Sequence, residues 1–167
     1  NKKIGFNPRL FNEHFIKYLS GKLFFKSISV NDNLMESIKK KKTISYPKSF
    51  YTLDKSITGN SSINKIKNLM VVNSKKKIDL MLITASENIA WLLNIRGNDS
   101  NFSPIPNCFL IVDKKMKIFL FCDKRKITFK LRKRLSLIKF LEIKNLENFL
   151  HGIRNKKFAV DSSTCSI

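Results

Sequence analysis

Hydrophobic and polar positions follow two periods along this chain, and the switches between them mark out its elements. The run Asp79-Leu80-Met81-Leu82-Ile83-Thr84 is short and apolar, as suits a strand buried on both faces. Thr84 and Glu87 then stand at capping-box spacing, which predicts a helix start. Ile89, Leu92 and Leu93 fall at i, i+3 and i+4, one face that can press on a sheet, and Gly97 offers a reversal after about three turns. Beyond a Pro-containing loop, 108–112 and 117–122 are strand-like runs whose separation by 113–116 suits a hairpin.

The flanking sequence extends this pattern. Phe11, Phe15, Tyr18 and Leu19 make a helical stripe that Gly21 is placed to end, and 23–30 has strand character. Asn31 or Asp32 can cap a short helix carrying Leu34, Met35 and Ile38. From 39 to 58 the pattern fades into a Lys run, Pro47 and scattered aromatics, a linker that Tyr46, Phe50 and Tyr51 could pin down. Ser61 or Ser62 caps the next predicted helix, with Ile63, Ile66, Leu69 and Met70 as its stripe and Asn73 near its end. Ile127, Leu131, Leu135 and Ile138 predict a basic amphipathic helix over 124–139, of the kind that covers a sheet, a membrane surface or RNA. Then come a strand over 140–143, a helix over 146–150 and a strand over 157–160. Alternating strands and helices imply an α/β fold with a mixed central sheet flanked by helices. The expected organisation is the end of one domain at 1–42, a linker at 43–57 and a second, incomplete domain at 58–167.

Composition changes the picture at three points. A formal charge of +21 and a pI near 10.1 draw polyanions, and a nucleic-acid-binding module using 124–134 is one reading. The other is a solvated surface, since Lys and Arg are spread over the whole chain among abundant Asn, Ile, Phe and Ser. Three cysteines without C-x-x-C spacing weigh against a disulfide framework and a zinc site, leaving Cys108 and Cys122 as reduced thiols nearly opposite each other on the hairpin. No apolar run reaches the roughly 18 residues of a membrane helix, and Asn1-Lys2-Lys3-Ile4 lacks both Met and a secretory core. A cytoplasmic location, no membrane partner and a start in mid-protein are therefore expected.

One string carries a family likeness. Glu87-Asn88-Ile89-Ala90-Trp91-Leu92-Leu93-Asn94-Ile95-Arg96-Gly97-Asn98-Asp99, followed by Ser103-Pro104-Ile105, resembles the second N-terminal domain of three-domain aminopeptidase P, a metal-dependent Xaa-Pro aminopeptidase with creatinase/prolidase-type N-terminal domains. Gly5-Phe6-Asn7-Pro8 and residues 29–38 resemble the end of that family's first domain, Thr58-Gly59 the opening of its second, and 158–164 a strand near its end. The chain departs from the pattern at Ser103, where Asn usually precedes Pro, at Asn88, and in lacking a Trp after Thr58-Gly59.

The resemblance implies an enzyme that removes an N-terminal residue preceding proline, with two divalent metals, commonly manganese, activating water. In the family two Asp, one His and two Glu hold those metals in a C-terminal pita-bread domain, which this chain is expected to stop short of at Ile167. The chain's own residues agree: His14 and His151 have no ligand spacing, the 12 acidic residues are scattered, and there is no G-x-S-x-G, P-loop or dinucleotide turn. No catalytic and no metal-binding residue is assigned, and the fragment alone is expected to be inactive. Its implied partners are the pita-bread domain, a peptide with proline second and, compatibly, a second copy. Arg96, Asp99 and Trp91 are the candidates for the substrate cleft. A guanidinium at Arg96 could orient a peptide carboxylate or carbonyl, or Arg96 and Asp99 could fasten the loop to each other or to backbone. Trp91 is either a packing anchor or a substrate contact. A remnant without retained activity is the third reading.

Overall fold

The computed structural model describes residues 2–30, 38 and 47–166, which divide into two compact units, Asn1–Tyr46 with Asp161–Ile167, and Pro47–Val160.

The first unit is built around a parallel pair of strands, β1 (Lys2–Phe6) and β2 (Phe25–Ser29), joined through helix α1 (Glu13–Leu23). Asn12 caps the helix: its Oδ1 accepts from the Phe15 amide at 2.8 Å, while its Nδ2 donates to the Ser163 carbonyl at 2.6 Å. Phe11 stacks on Phe15 at 5.8 Å and meets Phe6 edge-on, so the expected aromatic stripe is used. Gly21 does not end the helix. The chain runs on to Phe24, which takes the left-handed conformation at φ 49°, because one glycine inside a helix costs only about 1 kcal/mol. The caps at Asn31 or Asp32, the helix expected at Leu34 and Met35, and Tyr46 lie outside the described residues.

The second unit holds the sheet. Its elements are β3 (Tyr51–Thr52), α2 (Lys55–Thr58), α3 (Ser62–Lys75), β4 (Leu80–Ile83), α4 (Ser86–Leu93), β5 (Ile95–Arg96), β6 (Phe109–Asp113), β7 (Ile118–Cys122), α5 (Phe129–Arg134), β8 (Ile138–Glu142), α6 (Leu146–His151) and β9 (Phe158–Ala159). The strand order is β8-β7-β6-β4-β9, with β4/β6 and β6/β7 antiparallel and β7/β8 and β4/β9 parallel, which is a mixed sheet. The hairpin forms as the periodicity predicts, and its register carries Cys108 toward Cys122. Both thiols are free and buried, and burial pushes their pKa up, to about 12 for Cys122, so they behave as small apolar residues.

Strand alternation assigns the two faces. Leu110, Val112, Ile118 and Leu120 join Ile66 of α3, Ile89, Leu92 and Leu93 of α4, and Leu131 of α5 in one core. Phe119 and Phe121 point the other way and meet Phe149 of α6 at 4.9 and 5.3 Å. Helices therefore flank both faces, as expected.

The span 124–139 departs from its predicted single helix. A 3₁₀ turn at Lys124–Lys126 leads through Thr128, whose hydroxyl accepts from the Leu131 amide at 3.2 Å, into the six-residue α5, and Ile138 already belongs to β8. Ile127, Leu131, Leu135 and Ile138 are all buried, but from a turn, a helix and a strand. The segment is the crossover that two parallel strands require, and a crossover meets the same spacing without one long helix. Residues 47–57 are ordered too: Phe50 is 2% exposed in the core, and Tyr51 and Thr52 pair antiparallel with Arg96 and Ile95.

Candidate functional site

Helix α4 positions the candidate residues. Ala85, buried and extended, is its N-cap, one position after the Thr84 that the capping-box spacing predicted. The helix begins one residue later because Ala85 is drawn into the apolar interior at the end of β4, while Glu87 still favours the positive end of the helix dipole. At the other end the reversal is made by Asn94 at φ 55°, ψ 34°, three residues before Gly97.

A buried lysine explains why asparagine suffices there. Lys65 of α3 is 5% exposed and donates to the Trp91 carbonyl at 2.8 Å and to Asn94 Oδ1 at 2.7 Å. The Asn94 amide donates in turn to the Asn60 carbonyl at 2.8 Å. The ammonium also lies 4.2 Å from the centre of the Trp91 ring. Burial, and next the nearby Arg96 guanidinium, hold the pKa of Lys65 below the ordinary lysine range. Helix-terminal carbonyls, rather than a carboxylate, supply the negative end for this charge. Nothing in the sequence singled Lys65 out, since it is one of 33 basic residues, and only its place beside Ile66 on the inner side of α3 distinguishes it.

With the helix end clamped in this way, Trp91 turns outward and is 61% exposed, so its ring is no core anchor. Arg96, half-buried in β5, donates from Nη1 to the carbonyls of Ala90 at 3.1 Å and Ile95 at 2.8 Å. Its Nε and Nη2 have no acceptor among the described residues. Trp91, Arg96, Glu87, Ala90, Pro104 and Ile105 line a small open pocket of about 160 Å³. It has apolar walls, one carboxylate and one guanidinium, a combination suited to a short peptide segment.

Asp99 is not among the lining residues. Its Oδ2 accepts from the Asn107 amide at 2.7 Å and its Oδ1 pairs with the Lys126 ammonium. Of the three candidates, then, the fold gathers Trp91 and Arg96, while Asp99 fastens the loop, though to Lys126 and Asn107 rather than to Arg96. Glu87, Pro104 and Ile105 are additions: all three stand in the string that carries the family likeness, but none was singled out for the cleft.

The basic stretch proposed for nucleic acid is largely committed within the fold. Arg125 pairs with Asp123 at 2.7 Å, Lys126 with Asp99, and Arg134 binds Thr52 Oγ1, the Leu53 carbonyl and Asp54, while Arg132 lies 5.2 Å from the Phe140 ring. Among the described residues no group of three His, Cys, Asp or Glu side chains gathers that could hold a metal. No helix among them is long and apolar enough to cross a membrane.

The Lys65 clamp makes an optical prediction, because Trp91 is the only tryptophan. Lys65→Met should lower the emission anisotropy as the ring loses its cation, and weaken quenching by iodide relative to acrylamide. The stability loss should be only about 1 kcal/mol, because relief from burying a charge offsets part of the lost bonding. Unchanged anisotropy would mean that other contacts hold the ring.

The order of strand, sheet-packed helix, Asn94 reversal and hairpin has counterparts in known proteins. The chain is 34% identical over 146 residues to Xaa-Pro aminopeptidase 1 of Dictyostelium discoideum, covering 80% of this chain and 23% of that protein. It is 35% identical over 80 residues to Xaa-Pro aminopeptidase app-1 of Caenorhabditis elegans, covering 48% and 13%. The crystal structure of X-prolyl aminopeptidase from Caenorhabditis elegans, described as a cytosolic enzyme with a di-nuclear active site, superposes with a TM-score of 0.79 at 25% identity, covering 89% of this chain and 25% of that one. The chain thus matches only about an eighth to a quarter of the length of these relatives. Residues 45–167, which include every element of the sheet and the whole Trp91 pocket, match the creatinase/prolidase N-terminal domain, and the chain belongs to that family.

Proposed function

We propose that this chain is the non-catalytic N-terminal region of an Xaa-Pro aminopeptidase, shaping the approach of a peptide whose second residue is proline. What supports the reading is the similarity to Xaa-Pro aminopeptidases over 80% of the chain, together with an exposed tryptophan and an arginine with free donors on one pocket. In this reading removal of the N-terminal residue takes place in a pita-bread domain of the same polypeptide. There a pair of divalent metals, manganese by family likeness, would supply the activated water; the residues of this chain hold and orient. Domains at 1–42 and 58–167 with a linker at 43–57, a homodimeric enzyme and a cytoplasmic location belong to the same proposal, the last by likeness to the cytosolic Caenorhabditis elegans enzyme.

Within the pocket, the Trp91 face and the Pro104–Ile105 wall accept an apolar or prolyl ring, and Arg96 Nη2 and Nε face a peptide carbonyl or carboxylate. Because Nη1 is anchored on two carbonyls, the guanidinium plane is fixed before substrate arrives, which lowers the ordering cost of binding. In the full enzyme, Arg96→Ala should reduce kcat/KM on Xaa-Pro peptides by about tenfold, and Arg96→Lys should not restore it, since an ammonium cannot hold two carbonyls and a ligand in one plane. Unchanged kinetics with folding intact would retire Arg96 from the cleft without touching the family assignment.

A further inference from the structure

At the far end of the sheet from the Trp91 pocket's helix terminus, the start of β4, the β6–β7 turn and the loop between α6 and β9 enclose a second, larger opening of about 350 Å³. Half of its ten lining residues are basic, against 33 basic residues in 167 overall. The local enrichment exceeds what the general composition of the chain accounts for.

How the carboxylates in this opening are used decides its character. Asp113 Oδ1 accepts from the amides of Lys115 and Lys117, each at 2.8 Å, which shapes the hairpin turn. Asp79 accepts from Lys114 Nζ at 2.5 Å and from the Lys157 amide at 2.9 Å, tying the turn to the β9 loop. The Lys114 ammonium and, next, the Lys157 amide hold the Asp79 pKa below the usual carboxylate range, so this staple stays charged at neutral pH. Asn155, at φ 55°, makes the tight turn between Arg154 and Lys156. Both acidic groups are thus spent on building the rim. Lys115, Lys117, Arg154 and Lys156 donate no side-chain hydrogen bond and form no ion pair among the described residues. Four exposed cations line this one opening while its two carboxylates are bonded into the rim, an arrangement that a concentrated negative charge would neutralise.

We propose that this opening binds a compact oligophosphate, two or more linked phosphates in one small group. Spaced single charges, as along a nucleic-acid strand, do not match four cations gathered about one cavity. Arg154 supplies the planar fork for one phosphate, and the lysines supply point charges for its neighbours.

The test is calorimetric titration of the 167-residue chain with inorganic tripolyphosphate at about 150 mM salt, where the screening length of roughly 8 Å suppresses the diffuse field of a +21 protein. Saturable one-to-one binding is expected, at least about tenfold tighter than orthophosphate. The Lys115→Gln/Arg154→Gln variant should weaken it by about tenfold or more, whereas Lys133→Gln/Lys144→Gln, which removes the same charge from α5 and the turn before α6, should change it by less than about twofold. Equal weakening by both variants, absence of saturation, or tighter binding of a single-stranded oligonucleotide than of tripolyphosphate would overturn the proposal.

Discussion

Gly97→Ala is expected to destabilise the sheet-bearing unit by about 3 kcal/mol, against the usual few-tenths gain of a glycine-to-alanine change. The cause is space and not backbone conformation, since Gly97 is not among the residues with positive φ. A Cβ there would stand 2.7 Å from the Pro106 Cα, 3.1 Å from its nitrogen and 3.2 Å from the Ile105 carbonyl oxygen. All three are backbone atoms, so no side chain can swing aside. The close approach is itself bonded, the Gly97 amide donating to the Pro104 carbonyl at 3.1 Å. Relief requires residues 104–106 to move off β5, which also shifts the Pro104–Ile105 wall of the Trp91 pocket. Urea denaturation should show a lower midpoint with an unchanged slope. A neutral or stabilising result would mean that the loop yields freely and that the pocket wall is soft.

Gly97 also shows what the sequence could and could not convey. The Arg-Gly pair was legible as special, but the reason assigned to it, a helix-ending reversal, belongs to Asn94. Left-handed positions are easy to read when glycine fills them. Here Asn94 is held by Lys65 and the Asn60 carbonyl, partners 29 and 34 residues distant in the chain, and at Phe24 an aromatic takes the same role. Elements whose signal is local were readable: Ser61 accepts from the Asn64 amide as a cap should, the β6–β7 hairpin forms, and α6 and β9 fall where their apolar runs lie. Burial was readable further than conformation was, as the crossover shows with four correctly buried residues in three different elements. What stayed hidden depends on tertiary partners. A lysine inside α3 and a tryptophan facing out of α4 both invert the ordinary rule of burial, and they are the two halves of one contact.

The second large effect is expected at Asp99, where alanine should cost about 3 kcal/mol and lower the melting temperature by roughly 10 °C. Surface ion pairs contribute little, but the side chains of Lys126 and Asp99 are only 12% and 16% exposed, which removes much of the water that would otherwise stand in for the partner. Asp99 joins three segments: its two oxygens take the Asn107 amide and the Lys126 ammonium, while the Lys126 carbonyl accepts from the Phe50 amide at 2.9 Å and the ammonium lies 5.5 Å from the Phe50 ring. Asp99→Ala leaves a shielded ammonium without its counter-charge and an amide without an acceptor. Asp99→Asn keeps the amide's acceptor and should recover only part of the loss, with the charge accounting for the remainder. Removing Lys126 as well, as Lys126→Met in the Asp99→Ala background, should cost less than the sum of the single changes, since the stranded charge is then gone. Additive single effects, or an Asp99→Ala loss within about 0.5 kcal/mol of zero, would place this pair with ordinary surface salt bridges and leave Asp99 free to serve the cleft instead.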